Sequence, residues 1–233
     1  MFITKYYILG ALLFILLASM VPNVIVGAVS LWIALSLILV SVAYMTNKPD
    51  IFRKNSDGKI PTYIRWAFIP FLLGVSVYNY LIRKRDAVPP IQKVEAGLYL
   101  SRRLLPSDLP LLEEQGITAI LDVTAEFEGL ESSSNKKAFD YLNIPVLDHS
   151  SPSTSTLLHA IRWIKSQKMD GKSVVIHCAL GRGRSVFVLA AYLLTQDNTL
   201  SVDQVLKNIN KIRNTANLNK SHKKALVKFD YMD

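Results

Sequence analysis

Residues 174–185 read Val174-Val175-Ile176-His177-Cys178-Ala179-Leu180-Gly181-Arg182-Gly183-Arg184-Ser185, and an apolar run continues from Val186 to Leu194. A β-branched run, a glycine-punctuated loop and a helical pattern in that order make a strand-to-helix turn. The first N–H groups of a helix have no intrahelical partners and the helix dipole favours an anion there, while glycines let the backbone curl around it. Such a turn cradles phosphate, and Cys178 lies at its mouth.

Working outward, strand and helix patterns alternate. Val94–Leu100 reads as a strand with a glycine turn, and Ser107 can cap a helix over Asp108–Gln115 that stops at Gly116. Ile117–Val123 is a buried strand, Thr124–Glu128 a polar loop, 129–137 a surface connection and Phe139–Leu147 another strand. Helices are expected from about Ser155 to Gln167, from Val186 to Gln196, from a Ser201/Gln204 capping box through Arg213, and from Lys220 to Phe229. This alternation implies an α/β domain whose mostly parallel sheet is flanked by helices, with ligands bound beyond the strand C-termini.

The other part of the chain has a different composition. Two uncharged apolar runs, Tyr6–Val21 and Val24–Met45, are separated by Pro22-Asn23. They are suited to crossing the roughly 30 Å hydrocarbon layer as a helical hairpin. A third apolar segment, Thr62–Ile82, carries Arg65 and Pro70 and is followed by Arg83-Lys84-Arg85. Residues 1–86 are therefore an α-helical transmembrane region with two to three hydrophobic helices, and 87–233, entered through a stiff linker over 86–93 that holds Pro89-Pro90, a soluble domain. The formal charge of +9 suits an anionic membrane surface or a phosphorylated substrate, and no nucleic-acid partner is expected. Cys178 is the single cysteine, which excludes an intrachain disulfide and a Cys-based metal cluster.

Cys178 and Arg184 are separated by five residues, enough for a loop that encloses a tetrahedral oxyanion. The arginine closing that loop can bind two phosphate oxygens at once. The helix start and the ring of N–H groups favour the thiolate, which attacks phosphorus to form a phosphocysteine. A nucleophilic thiol has to stay reduced, so the soluble domain is placed in the cytoplasm. Three full crossings would then put Lys48, Arg53, Lys54 and Lys59 outside, against the positive-inside rule. The expected arrangement is a multi-pass membrane protein with a spanning hairpin and a re-entrant or interfacial third segment broken near Pro70; three ordinary spans are the alternative, because one short loop can violate the charge rule.

The sequence His177-Cys178-x-x-Gly181-x-x-Arg184-Ser185 resembles the signature of the protein tyrosine phosphatase superfamily, in its dual-specificity branch. The resemblance runs over roughly Val94–Phe229. It implies a cysteine-dependent phosphatase in which Cys178 is the nucleophile and Ala179, Leu180, Gly181, Arg182, Gly183 and Arg184 hold phosphate. Ser185 assists the departing thiolate, and His177 braces the loop from behind. The family's general acid is an Asp about thirty residues before the Cys, and Asp148 stands there, ahead of Asp122 and Asp140 as candidates. Asp122 suits a structural hydrogen-bonding role, and His149 an exposed surface.

Arg182 makes the loop resemble that of phosphatidylglycerophosphate phosphatases, so a phosphorylated membrane lipid is the expected substrate, with a phosphoprotein as the alternative. The other readings are a sulfurtransferase of the rhodanese type and an inactive phosphate-binding module in the membrane. The expected chemistry calls for no metal and no cofactor.

Overall fold

The computed structural model describes residues 2–130 and 139–229. Most of the surface connection expected at 129–137 lies outside the described residues. The chain divides into two compact units, one of Met1–Arg53 with Ile60–Lys84, the other of Lys54–Lys59 with Arg85–Asp233.

The first unit holds α1 (Phe2–Met20), α2 (Val24–Thr46) and most of α3 (Thr62–Arg85). All three are long and apolar enough to cross a membrane. The break between α1 and α2 is made by Asn23, whose side chain accepts the backbone N–H groups of Ile25 and Val26 at 3.0 and 3.2 Å. Close approach of α1 and α2 depends on Gly10, where a Cβ would stand 3.2 Å from Leu37. Leu9, Leu13, Leu16, Leu31, Leu35 and Leu73 point outward, the distribution expected of helices whose solvent is hydrocarbon. The break expected near Pro70 is absent, and α3 runs through the proline. One missing N–H removes a single intrahelical bond, which the rest of a 24-residue helix outweighs.

The second unit is a five-stranded sheet in the order β1-β2-β5-β3-β4, with helices packed on it. β1 (Ile91–Glu95) and β2 (Leu98–Ser101) form an antiparallel hairpin about Gly97, at φ +70°, so the glycine turn read within Val94–Leu100 separates two strands. The glycine reverses the chain where a continuing strand would have required φ < 0. β2, β5 (Ser173–His177), β3 (Ile117–Asp122) and β4 (Asp140–Asn143) are parallel neighbours, so the sheet is mostly parallel. β4 is shorter than the run Phe139–Leu147, since Pro145 has no N–H for the ladder.

The helices are α4 (Leu109–Glu114), α5 (Thr154–Met169), α6 (Arg184–Gln196), α7 (Val202–Ile212) and α8 (Lys220–Lys228). Entry to α4 is made by a 3-10 turn over Pro106–Asp108 rather than by a Ser107 cap, and the Asp108 carboxylate accepts the Leu105 N–H at 2.8 Å. Pro106 presets the first turn one residue earlier than the serine would. The capping box of α7 is formed as expected, Ser201 Oγ accepting Gln204 N–H at 3.2 Å and Gln204 Oε1 accepting Ser201 N–H at 2.7 Å. Helix α6 is buried nearly all round, and Val186, Phe187, Leu189 and Ala190 meet Leu100, Leu121 and Ile176 of the sheet in the main core. A central helix held on every side gives its N-terminus a fixed position.

Candidate active site

Strands β2, β5 and β3 end in register, with Ser101 and Asp122 each paired to His177. Beyond that row the backbone leaves β5, passes through Cys178–Gly183 and enters α6 at Arg184. The loop's carbonyls are taken by the surrounding protein. Arg103 N–H donates to Ala179 O (3.1 Å), Asn217 N–H to Arg182 O (2.7 Å) and the Arg213 guanidinium to Leu180 O (3.0 Å). In a planar trans peptide the N–H points opposite to its carbonyl, so the amides of Leu180, Gly181 and Gly183 turn toward the loop's interior. Gly181 sits at φ +67°, and a Cβ there would lie 2.7 Å from Ser101 O, so only glycine fits the bend.

Cys178 is a free, buried thiol whose Sγ accepts a hydrogen bond from Ser185 Oγ at 3.2 Å. Arg184 is 2% exposed. Its NH1 donates to Glu126 Oε2 (2.8 Å) and Val146 O (2.8 Å), and its NH2 to Glu126 Oε1 (2.7 Å). The bidentate pair with Glu126 holds the guanidinium plane while the second NH2 proton and Nε–H stay available for an oxyanion. Burial works against this charge, but Glu126 and Asp148 override it, and the guanidinium is held well above its ordinary pKa. Sequence reasoning placed Glu126 in a polar loop. No spacing or periodicity marks it, because its partner lies 58 residues away.

The three candidate acids fall in three environments. Asp148 lies at the site, with Oδ1 3.4 Å from Arg184 Nε and its side chain 46% exposed. Asp140 is at the surface, paired with Lys172. Asp122 is fully buried, accepting from Lys54 Nζ (2.7 Å), Tyr141 OH (2.8 Å) and both the N–H and the Oγ1 of Thr124. Although burial raises a carboxyl pKa, the Lys54 ammonium and the hydrogen bonds from Lys54 and Thr124 outweigh it and hold Asp122 well below the carboxylate range. His177 is 2% exposed with Nε2 3.8 Å from Asp122 Oδ2. Burial pushes its pKa down against the pull of Asp122, so the ring is neutral at pH 7.

The Asp148 loop is fastened by α8. Asn219 Nδ2 donates to His149 O (3.1 Å), and His222 Nε2 is 2.9 Å from Ser150 O. His149 itself is exposed at φ +60°, with Nε2 3.5 Å from Asp148 Oδ2. Arg182 pairs with Asp86 at 3.0 Å. Buried Arg213 joins Leu180 O to Gln92 Oε1 (2.7 Å) and Pro89 O (3.2 Å), a tie unforeseen in a residue read only as a helix end.

Residues 98–232 match the family model described as "Dual specificity phosphatase, catalytic domain". The chain is 30% identical over 127 residues to phosphatidylglycerophosphate phosphatase PTPMT1 of Arabidopsis thaliana, covering 53% of this chain and 37% of that protein. It is 30% identical over 151 residues to dual specificity protein phosphatase 12 of Rattus norvegicus, covering 60% and 41%. The chain thus spans about two fifths of the length of these relatives. Among solved structures, PTPMT1 in complex with PI(5)P superposes with a TM-score of 0.54 at 21% identity, over 59% of this chain and 92% of that one. Tk-PTP in the active form superposes with a TM-score of 0.54 at 25% identity, over 60% and 95%.

Proposed function

The chain belongs to the dual-specificity phosphatase family, and we propose that it is a membrane-anchored, cysteine-dependent phosphatase acting on a phosphorylated membrane lipid. The observation that carries the chemistry is the convergence on one loop of a thiol bonded to Ser185, a buried guanidinium and inward-facing amides. The Cys178 thiolate attacks phosphorus and the ester P–O bond breaks, its electron pair leaving on the alkoxide. Asp148, partly exposed beside Arg184, gives that oxygen its proton. Arg184 and the loop amides hold the equatorial oxygens as charge builds. Water then attacks the phosphocysteine with Asp148 taking its proton, and Ser185 Oγ–H stabilises the departing thiolate. Phosphate release should be abolished in Cys178→Ser; turnover equal to wild type in that variant overturns the nucleophile assignment.

The lipid reading is supported by connectivity. Arg182, inside the phosphate loop, pairs with Asp86, the residue directly after the last residue of apolar α3. The phosphatidylglycerophosphate phosphatase among the relatives agrees with that class. Purified full-length protein assayed on vesicles carrying phosphatidylglycerophosphate or phosphoinositides, beside phosphopeptides, tests it. Preference for phosphopeptides identifies a protein phosphatase instead.

The anchor we propose is an α1–α2 hairpin that crosses the bilayer, with α3 not crossing and the catalytic unit in the cytoplasm. Residues 54–59 and 85–233 belong to one compact unit, which supports both ends of α3 lying on one side of the membrane. Ser56→Cys in a Cys178→Ser background can be labelled by an impermeant maleimide from that side. Label reaching it only from the side opposite a C-terminal tag overturns this arrangement.

A further inference from the structure

We infer that Lys54, supplied by the segment between the second and third apolar helices, is a positioning residue for the phosphate loop. The inference rests on the catalytic reading of Cys178 and Arg184 given above. The Lys54 side chain is 1% exposed and its ammonium uses all three donors, to Asp122 Oδ2 (2.7 Å), Thr124 O (2.9 Å) and Thr124 Oγ1 (3.2 Å). A lysine in such a place is costly unless it does something specific, and burial pushes its pKa down even beside Asp122.

Two routes connect this ammonium to the site. Asp122 and Thr124 begin the turn that carries Glu126. Thr124 N–H donates to Asp122 Oδ1 (2.9 Å) and Ala125 N–H to Glu126 Oε2 (3.2 Å). Glu126 then fixes the plane of Arg184. By the second route, Asp122 faces the ring of His177, the residue before Cys178. The charged groups acting on His177 are Asp122, Lys54 and Arg103. Taking the lysine away leaves a carboxylate 3.8 Å from that ring without its counter-ion, so His177 takes up a proton at higher pH and the base of the loop becomes charged.

The segment is built to hold the lysine there. Asn55 N–H donates to Lys59 O (2.9 Å), Gly58 N–H to Asn55 O (3.0 Å) and Lys59 N–H to Asn55 Oδ1 (2.8 Å), which closes a tight turn. That turn docks on the catalytic unit through Gly129 N–H to Gly58 O (2.9 Å). Gly58 lies at φ +75°, and a Cβ there would stand 2.5 Å from Tyr141 OH. The same hydroxyl donates to Asp122, so turn and ion pair are one assembly.

The test compares Lys54→Met, Lys54→Arg, Asp122→Asn and the double variant Lys54→Met/Asp122→Asn, all as full-length protein in detergent. The readouts are kcat, KM and the pH profile with p-nitrophenyl phosphate, and orthovanadate affinity by thermal shift. Lys54→Met should lower kcat/KM by about 10- to 100-fold, mostly in kcat, weaken vanadate, and move the acid limb of kcat/KM to higher pH. Lys54→Arg should keep most activity. The double variant should recover to within about fivefold of Asp122→Asn, because the stranded charge is gone. Wild-type kinetics and pH profile in Lys54→Met overturn the inference, as does a double variant no better than Lys54→Met. If Lys54→Met does not fold, the double variant and Lys54→Arg decide by the same criteria. If the wild-type chain releases no phosphate, the catalytic reading fails, and vanadate affinity across the series still decides whether Lys54 positions the loop.

Discussion

Replacing Glu126 by Gln isolates the part of the site that holds Arg184. The guanidinium makes two hydrogen bonds to the carboxylate, at 2.7 and 2.8 Å, and one to Val146 O, with Arg184 and Glu126 both buried. Glutamine keeps the length and one acceptor but turns the other into a donor facing an arginine N–H. One charge-assisted hydrogen bond is therefore lost, about 1.5–3 kcal/mol. At about 1.4 kcal/mol per decade this predicts a fall of about 10- to 150-fold in kcat/KM if the whole loss is felt in the transition state. Both variants remove the counter-charge, but Glu126→Ala also removes both acceptors, a change of about 3–5 kcal/mol that should lower the melting temperature as well. Activity on p-nitrophenyl phosphate, vanadate affinity and thermal unfolding are to be measured on the same preparations. Folded Glu126→Gln within about threefold of wild type in kcat/KM would show that Arg184 is oriented without this carboxylate, and the reasoning would fail.

Asp148→Asn should slow alkyl phosphate esters far more than p-nitrophenyl phosphate, whose leaving group needs no proton; equal slowing of both removes the general-acid role. Gly181→Ala puts a Cβ 2.7 Å from Ser101 O in a left-handed backbone, so the loop must shift by several tenths of an ångström, and a loss of about 100-fold in kcat/KM is expected. Full activity in that variant refutes the tight apposition of the loop to β2. For pH, the folded-state pKa values of His177 and His222 are lowered by burial, so the unfolded chain binds the extra protons. Stability present above about pH 6.5 should then be lost as pH falls below it, and Asp122, also lowered, adds to the loss below about 3.8. A melting temperature that is flat or rising from pH 7.5 to 5 contradicts this.

The Cys178–Arg184 loop was legible because its demands are local. A helix start, a left-handed glycine and an arginine five residues past the cysteine all lie on consecutive residues, so spacing alone exposes them. The capping box at Ser201 and the parallel sheet were legible for the same reason, since each follows from short-range pattern. Glu126, Arg213 and Lys54 act through space, on partners at Arg184, Leu180 and Asp122. In the sequence Lys54 is one of four basic residues, Lys48, Arg53, Lys54 and Lys59, and any of them satisfies a charge rule for membrane topology equally well. Arg182, expected among the residues of the loop that hold phosphate, is also paired with Asp86 and so ties the loop to the linker.

The register of the sheet explains why a cation is wanted where Lys54 sits. Ser101, His177 and Asp122 lie side by side at the ends of parallel strands, and each is followed by a segment that shapes the site. After Ser101 comes Arg103, whose N–H holds Ala179 O; after His177 comes the thiol; after Asp122 comes the turn of Glu126. A buried carboxylate at the end of such a row cannot reach water, and the neutral His177 ring beside it does not neutralise it. The compensating charge has to arrive from elsewhere in the chain. It comes from residue 54, outside the segment 98–232 that matches the family model. The matched segment alone therefore does not delimit the compact unit that carries the cysteine loop, which also includes residues 54–59 between two apolar helices.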